Sequence, residues 1–157
     1  MTTLASLQIG DLVPDLTMTD DQGQQHALRA LPSGAVIYFY PKDMTPGCTT
    51  EACDFQANID RFKAEGYQIF GVSPDSAKSH LKFRNKHGLE FYLIADEDHS
   101  ICKAFGVWRE KKNYGKTYMG VVRSTFVIAP DHTIAAIYDN VRVTGHVAKV
   151  LHAISAG

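Results

Sequence analysis

The sequence predicts a single α/β domain built on a mixed central sheet with helices on both faces, and three observations carry that prediction. Continuous apolar runs rich in β-branched and aromatic residues recur between helical patterns: Ala35-Val36-Ile37-Tyr38-Phe39-Tyr40, Tyr67-Gln68-Ile69-Phe70-Gly71-Val72 and Phe91-Tyr92-Leu93-Ile94-Ala95. Strands that are apolar at nearly every position belong to a sheet covered on both faces. Two later runs, residues 124–129 and 133–138, are joined by Pro130-Asp131-His132, a turn that makes them an antiparallel hairpin and the sheet mixed. The chain has 157 residues, 45% of them hydrophobic and 21% charged, enough for one such core. Without a linker, repeat or low-complexity stretch to divide it, residues 1–157 read as one domain.

Taken in order, the elements begin with a hairpin around the turn Asp20-Asp21-Gln22-Gly23. The first buried strand ends at Pro41, which has no backbone proton for a ladder. Thr45 followed by Pro46 is the N-cap and first-position pairing of a helix start. From there Cys48, Ala52, Phe55, Ile59 and Phe62 recur at helical spacing. At 100° per residue they fall within about 40° of one line, which predicts one helix with these side chains inward. Glu65-Gly66 closes it, and the next apolar run follows. Asp75-Ser76 caps a helix running to His87-Gly88, residues 98–105 form a short helix, and residues 145–154 a last one. The polar segment 109–120 is expected to be an ordered loop over one edge. This is the element order of a thioredoxin fold, with the N-terminal hairpin added to it.

Composition removes several classes of function. Sixteen basic and 17 acidic side chains give a net charge of −1, so neither nucleic acid nor an anionic membrane is the expected partner. No apolar run approaches the ~20 residues of a membrane span, and Met1-Thr2-Thr3-Leu4-Ala5-Ser6 reads as no signal peptide. Three cysteines make a disulfide framework unexpected and a reducing compartment, the cytoplasm, the default. The seven histidines lack ligand spacing and the C-x-x-x-x-C pair lacks a second pair, so no metal is implied.

The chemistry concentrates at Pro41-Lys42-Asp43-Met44-Thr45-Pro46-Gly47-Cys48. The thiol follows a buried strand and sits near the third position of a helix, where free N–H groups and the positive dipole end favour a thiolate. That is also the end of the strand where α/β folds place their chemistry.

Pro41, Thr45 and Cys48 in the pattern P-x-x-x-T-x-x-C, with Arg123 opening Arg123-Ser124-Thr125-Phe126-Val127-Ile128, closely resemble the peroxiredoxins, and within them the peroxiredoxin Q or bacterioferritin comigratory group. Tyr38-Phe39-Tyr40-Pro41-Lys42, Phe105-Gly106-Val107-Trp108 and Gly115-Lys116-Thr117-Tyr118 extend the likeness over residues 9–138. The resemblance implies a thiol peroxidase for hydrogen peroxide and alkyl hydroperoxides, with neither metal nor flavin. Electrons would return from thioredoxin or a glutaredoxin-like dithiol, and the chain would be a monomer. Cys48 is then the peroxidatic thiol, oxidised to a sulfenic acid. Arg123 would hold thiolate and peroxide, and the Thr45 hydroxyl with the Gly47 and Cys48 N–H groups would complete the site. Pro41 would shield the sulfur, and Glu51, one turn on, would orient Arg123 or face the substrate.

Such a site needs more than an acidic thiol. Lowering a thiol pKa from ~8.5 to ~6 raises its thiolate fraction at neutral pH roughly thirtyfold. The accompanying loss of nucleophilicity returns about a factor of ten. The remainder must come from donors aimed at the breaking bond.

By the same resemblance Cys53 is the resolving thiol. On an intact helix, residues five apart lie about 8.6 Å from one another between Cα atoms, beyond the ~7 Å limit of a disulfide. The helix is therefore expected to unwind between a reduced and an oxidised state. Residues 80–87, where other members of the group place this cysteine, contain none.

Blander readings stand beside these: a small hydrophobe for Cys53, an inert helix thiol for Cys102, a solvated helix face for Lys78, Lys82, Arg84 and Lys86, and packing for Trp108, Tyr114 and Tyr118. A thiol-disulfide oxidoreductase lacks support in the absent C-x-x-C; a redox sensor or holdase would turn over slowly.

Overall fold

The computed structural model describes residues 7–156; the reading of residues 1–6 as no signal peptide lies outside them. A short hairpin, β1 (Thr17–Thr19) and β2 (Gln25–Ala27), leads into β3 (Gly34–Phe39), α1 (Pro46–Ala57), α2 (Ile59–Ala64) and β4 (Tyr67–Ser73). Then come α3 (Ala77–His87), β5 (Tyr92–Ala95), α4 (Ser100–Ala104), β6 (Trp108–Asn113) and β7 (Lys116–Val121). Strands β8 (Ser124–Ile128) and β9 (Ile134–Tyr138) and helix α5 (His146–Ala156) complete the domain. The five-stranded sheet has the order β5-β4-β3-β8-β9, parallel from β3 through β5 and antiparallel from β3 through β9. The mixed sheet and the added hairpin match the expected thioredoxin fold.

Every residue of the central strand β3 is buried, because both of its faces are covered. Val36, Tyr38 and Tyr40 point to a core shared with Cys48, Ala52 and Phe55 of α1, Phe62 of α2, Phe83 of α3 and Val150 of α5. Ala35, Ile37 and Phe39 point the other way, to Met18, Ile101 and Cys102, Val107 and Val121. Most of the helical cover thus lies on the Cys48 side; α4 and the hairpins cover the other. Each large apolar side chain so buried contributes roughly 1.5–3 kcal/mol, and Phe55 adds a stacked contact with Tyr38 at 4.5 Å. Gly71, directly across from Tyr38, has to be glycine: a Cβ there would come within 2.8 Å of the Tyr38 ring and hydroxyl.

Four expectations are corrected. The single long helix is two, broken at Asn58, whose side chain donates to the Asp54 carbonyl at 2.9 Å. The inward stripe is nevertheless right, since all five of its residues are buried. The segment 109–120 is not a loop but lies within the β6–β7 hairpin, turned by Tyr114 and Gly115, both at positive φ. Tyr114 and Tyr118 do not pack there, being 97% and 47% exposed. Arg84 is not on a solvated face: its Nε and Nη2 donate to both oxygens of buried Asp21, at 2.6 and 2.8 Å, and it also donates to two backbone carbonyls. No helix among the described residues is long and apolar enough to cross a membrane.

Candidate active site

Strand β3 delivers the chain to a short loop, residues 41–45, that turns back into α1. Pro41 opens the loop half-buried, and Thr45 is the extended N-cap residue with Pro46 at the first helical position. Pro46 has no N–H, and the Gly47 and Cys48 N–H groups precede any helical acceptor, so two donors remain beside the sulfur. The first carbonyl the helix uses is that of Thr45, bonded by the Thr49 N–H at 2.8 Å. The Thr45 side chain does not cap the helix; its hydroxyl donates to the Lys42 carbonyl at 2.8 Å. The hydroxyl proton is committed, and lone pairs remain free.

Cys48 is 1% exposed, at the third helical position on the inward face. Arg123 reaches it from the connection between β7 and β8. One guanidinium nitrogen, Nη2, donates to Cys48 Sγ at 3.3 Å, and the other, Nη1, to Glu51 Oε1 at 2.6 Å. Two residues come within reach of one arginine because Cys48 and Glu51 share a helix face one turn apart while β8 pairs antiparallel with β3 alongside. The backbone holds Arg123 too, its carbonyl accepting from the Val141 N–H at 2.8 Å. A Cβ at Gly47 would lie 3.4 Å from Arg123 Nη2, in ordinary contact with it.

Glu51 is fully buried, and burial pushes its carboxyl up to about 7 against the opposing pull of Arg123. It lies against the guanidinium and not toward solvent. Its Oε2 and the Tyr38 hydroxyl are buried with no hydrogen-bond partner among the described residues. Burial, and then the negative groups Glu51 and Cys48, hold the Tyr38 phenol well above its usual range. Lys111 on β6 donates to the Val121 carbonyl at 2.7 Å, two residues before Arg123. Burial and the Arg123 charge lower its affinity for a proton.

The second thiol faces elsewhere. Cys53 is half-buried on the intact α1, with Sγ 3.9 Å from His87 Nδ1 on α3, and all three cysteines are free. Cys102 is buried, and burial with the neighbouring Asp96 carboxylate drives its thiol far above the ordinary range. That fits the inert reading. Asp43, Asp75 and His80 offer ligand atoms within 4.8 Å of one another, but protein donors engage both acids. Sequence reasoning missed this group, as well as Tyr38 and Lys111; only the place of Asp43 inside the cysteine motif signals it.

A shielded thiol at a helix start, faced by an arginine on a thioredoxin-type sheet, defines the class of thiol-dependent oxidoreductases. A family model described as AhpC/TSA matches residues 9–137. Peroxiredoxin Bcp of Bacillus subtilis is 45% identical over 150 residues, 95% of this chain and 96% of the relative. The bacterioferritin comigratory protein of Xanthomonas campestris, described for its alkyl peroxide reduction activity, superimposes with a TM-score of 0.88 at 44% identity, covering 96% of each chain. A PrxQ variant from Xylella fastidiosa gives 0.91 at 36% identity over 97% and 98% of the two chains. The chain belongs to the AhpC/TSA family, among its peroxiredoxins of the Bcp or peroxiredoxin Q kind, and is a thiol peroxidase.

Proposed function

We propose that Cys48 is the attacking thiol, that Cys53 resolves it, and that the Arg123 fork organises the first step. The observation that carries the reading is the pair of short contacts from one guanidinium to Cys48 Sγ and to buried Glu51. The Cys48 thiolate attacks the nearer oxygen of a peroxide; an S–O bond forms, the O–O bond breaks, and two electrons leave the sulfur. Negative charge grows on the departing oxygen, where a fixed cation and the free Gly47 and Cys48 N–H groups stabilise it more than they do the reactants. That oxygen leaves as water or alcohol once it has taken a proton. Thr45, its hydroxyl donating to the Lys42 carbonyl oxygen, accepts from a peroxide O–H. Pro41 walls the pocket. Glu51 holds the guanidinium in the orientation that serves the sulfur.

In the second step the Cys53 thiol attacks the sulfenic sulfur, an S–S bond forms and water leaves. Cys53 faces His87 across an intact helix, so α1 unwinds before the sulfurs meet. A thioredoxin-like or glutaredoxin-like dithiol then reduces the disulfide. Hydrogen peroxide and alkyl hydroperoxides are the substrates, the latter by analogy with the Xanthomonas relative, and the chain works as a monomer in the reducing cytoplasm.

The test is one equivalent of hydrogen peroxide on reduced protein, followed by intact-mass and peptide mapping. A Cys48–Cys53 disulfide in a monomer is expected, with C53S stopping at the Cys48 sulfenic acid. If Cys48 is oxidised while Cys53 stays free in the wild type, the resolving thiol belongs to another molecule. A Cys48 that fails to react rapidly ends this assignment.

A further inference from the structure

The buried polar groups that the two thiol steps leave unused converge on Asp43, in the loop that carries Pro41 and Thr45. Asp43 is 4% exposed and accepts from the Tyr40 hydroxyl at 2.6 Å and the Ser79 hydroxyl at 2.8 Å. His80 is fully buried, with Nδ1 2.7 Å from the same carboxylate and Nε2 3.0 Å from the Ile94 carbonyl oxygen. A carbonyl oxygen only accepts, so Nε2 carries a proton, and Nδ1 faces the Asp43 carboxyl, which is placed to hold a second proton on the ring. Burial alone would weaken its hold on that second proton, but the hydrogen bond and charge of Asp43, with the Ile94 carbonyl and Asp75, strengthen it overall.

The loop needs such an anchor. Met44, between Asp43 and Thr45, is held at φ +68, a left-handed conformation that a residue with a Cβ keeps only when its surroundings impose it. The Asp43 N–H is tied as well, to Asp75 Oδ2 at 2.7 Å, which also takes the Ser73 hydroxyl at 2.7 Å. Strand β4, helix α3 and strand β5 therefore all grip the loop, and none of these bonds involves α1.

We propose that His80 is a positioning residue for peroxide reduction: a buried cation that locks Asp43 and, through it, keeps Pro41 and Thr45 in place while α1 unwinds and refolds. The proposal rests on Cys48 being the attacking thiol. It sets the N-terminal limit of unwinding at Pro46, as the helix break at Asn58 sets the other. His80 touches neither peroxide nor sulfur and acts only through Asp43. The groups facing it are Asp43, Tyr40, Ser79, Asp75 and the Ile94 carbonyl, so its own titration governs the lock.

Nitrogen-15 spectra of the wild-type protein test the lock without a variant. Both His80 ring nitrogens are expected to be protonated at neutral pH, with their signals retained in the disulfide form. A neutral ring in the reduced protein, or loss of these signals on oxidation, overturns the proposal. The rate of Cys48 oxidation, followed against pH by stopped flow, tests its consequence. In H80Q and D43N the rate is expected to fall about tenfold to a hundredfold, the scale set by small misplacements of reacting groups. The wild-type rate should also fall at alkaline pH as His80 loses its proton, a limb absent from a folded H80Q/D43N double variant. A folded variant with the wild-type rate and the same alkaline limb overturns the role of His80 alone. A wild-type Cys48 inert to peroxide instead overturns the reading on which the proposal rests.

Discussion

Arg123 divides one planar fork between the Glu51 carboxyl and the Cys48 sulfur, and that division sets what its replacement does. A lysine keeps the charge but presents a single ammonium point, which cannot bond Glu51 at 2.6 Å and Cys48 at 3.3 Å together. R123K is therefore expected to lower the rate constant of Cys48 oxidation by roughly 10²–10³, the usual loss for a transition-state donor, measured by stopped flow under pseudo-first-order peroxide. Glu51 separates position from charge. E51Q keeps an oxygen under Nη1 and should retain most of the rate, whereas E51A frees the guanidinium and should lose about tenfold or more; equal losses would mean that charge, not position, is what Glu51 supplies. The carboxyl also makes stability pH-dependent. Its folded pKa of about 7 stands above the ordinary 4.5, so the stability it lends is complete below 4.5 and is lost as pH rises through about 7. His80, raised above 6.5, has the same sign at its own folded value. The urea midpoint of reduced wild-type protein should fall from about pH 4.5 to about pH 7, and E51Q should flatten that fall. Cys48 and Thr45 could be read as a helix-start thiol and its N-cap residue from their spacing to Pro46, whereas Arg123, 75 positions from Cys48, entered only through the family resemblance. His80 was not legible, since its partner lies 37 positions away and only the fold joins them.

Helix α1 combines a buried face with a weak start. Thr45 gives it no side-chain cap, its first turn carries no acid, and Gly47 occupies the second position. Opposing these are the burial of Cys48, Ala52 and Phe55 and the Arg123–Glu51 pair. Opening is thus local, and strengthening the helix should oppose it. Thr50 is exposed in the second turn, and T50A raises helix propensity by a few tenths of a kcal/mol with no buried contact changed. It should slow disulfide formation about twofold while leaving Cys48 oxidation unaltered, read as the second and first phases of one transient. If both phases slow together, the substitution has disturbed the pocket and the helix is not the gate. Elsewhere, legibility followed the clarity of periodicity. The β6–β7 hairpin was misread because Arg109, Glu110, Lys111 and Lys112 hide any alternation, and Tyr114-Gly115 is a weak turn signal beside Asn-Gly. The break at Asn58 was invisible because the apolar stripe continues across it at unchanged phase.

For the whole molecule, oxidation sets a small gain against a larger loss. A disulfide between Cys48 and Cys53 closes a very short loop, and the chain-entropy model gives that cross-link about 2 kcal/mol against the unfolded state. In the proposed unwound form, Phe55, Ala52 and the Glu51–Arg123 pair leave the arrangement that buries them in the reduced fold. Phe55 alone accounts for roughly 1.5–3 kcal/mol of burial, and Tyr38 loses the ring stacked on it. The disulfide form should therefore be less stable than the dithiol form, reversing the usual effect of a cross-link. Thermodynamic linkage then makes the same difference favour reduction: each 1.4 kcal/mol by which folding prefers the dithiol raises the disulfide's reduction potential by about 30 mV. On the proposed cycle, the refolding of α1 therefore favours the return step in which a partner dithiol reduces the enzyme. Urea unfolding of the pure Cys48–Cys53 disulfide beside the reduced protein measures this directly, with a lower midpoint expected for the oxidised chain. A higher midpoint would mean that α1 keeps its contacts while the sulfurs are joined, and the unwinding that the 3.9 Å Cys53–His87 contact and the helix geometry require would be wrong.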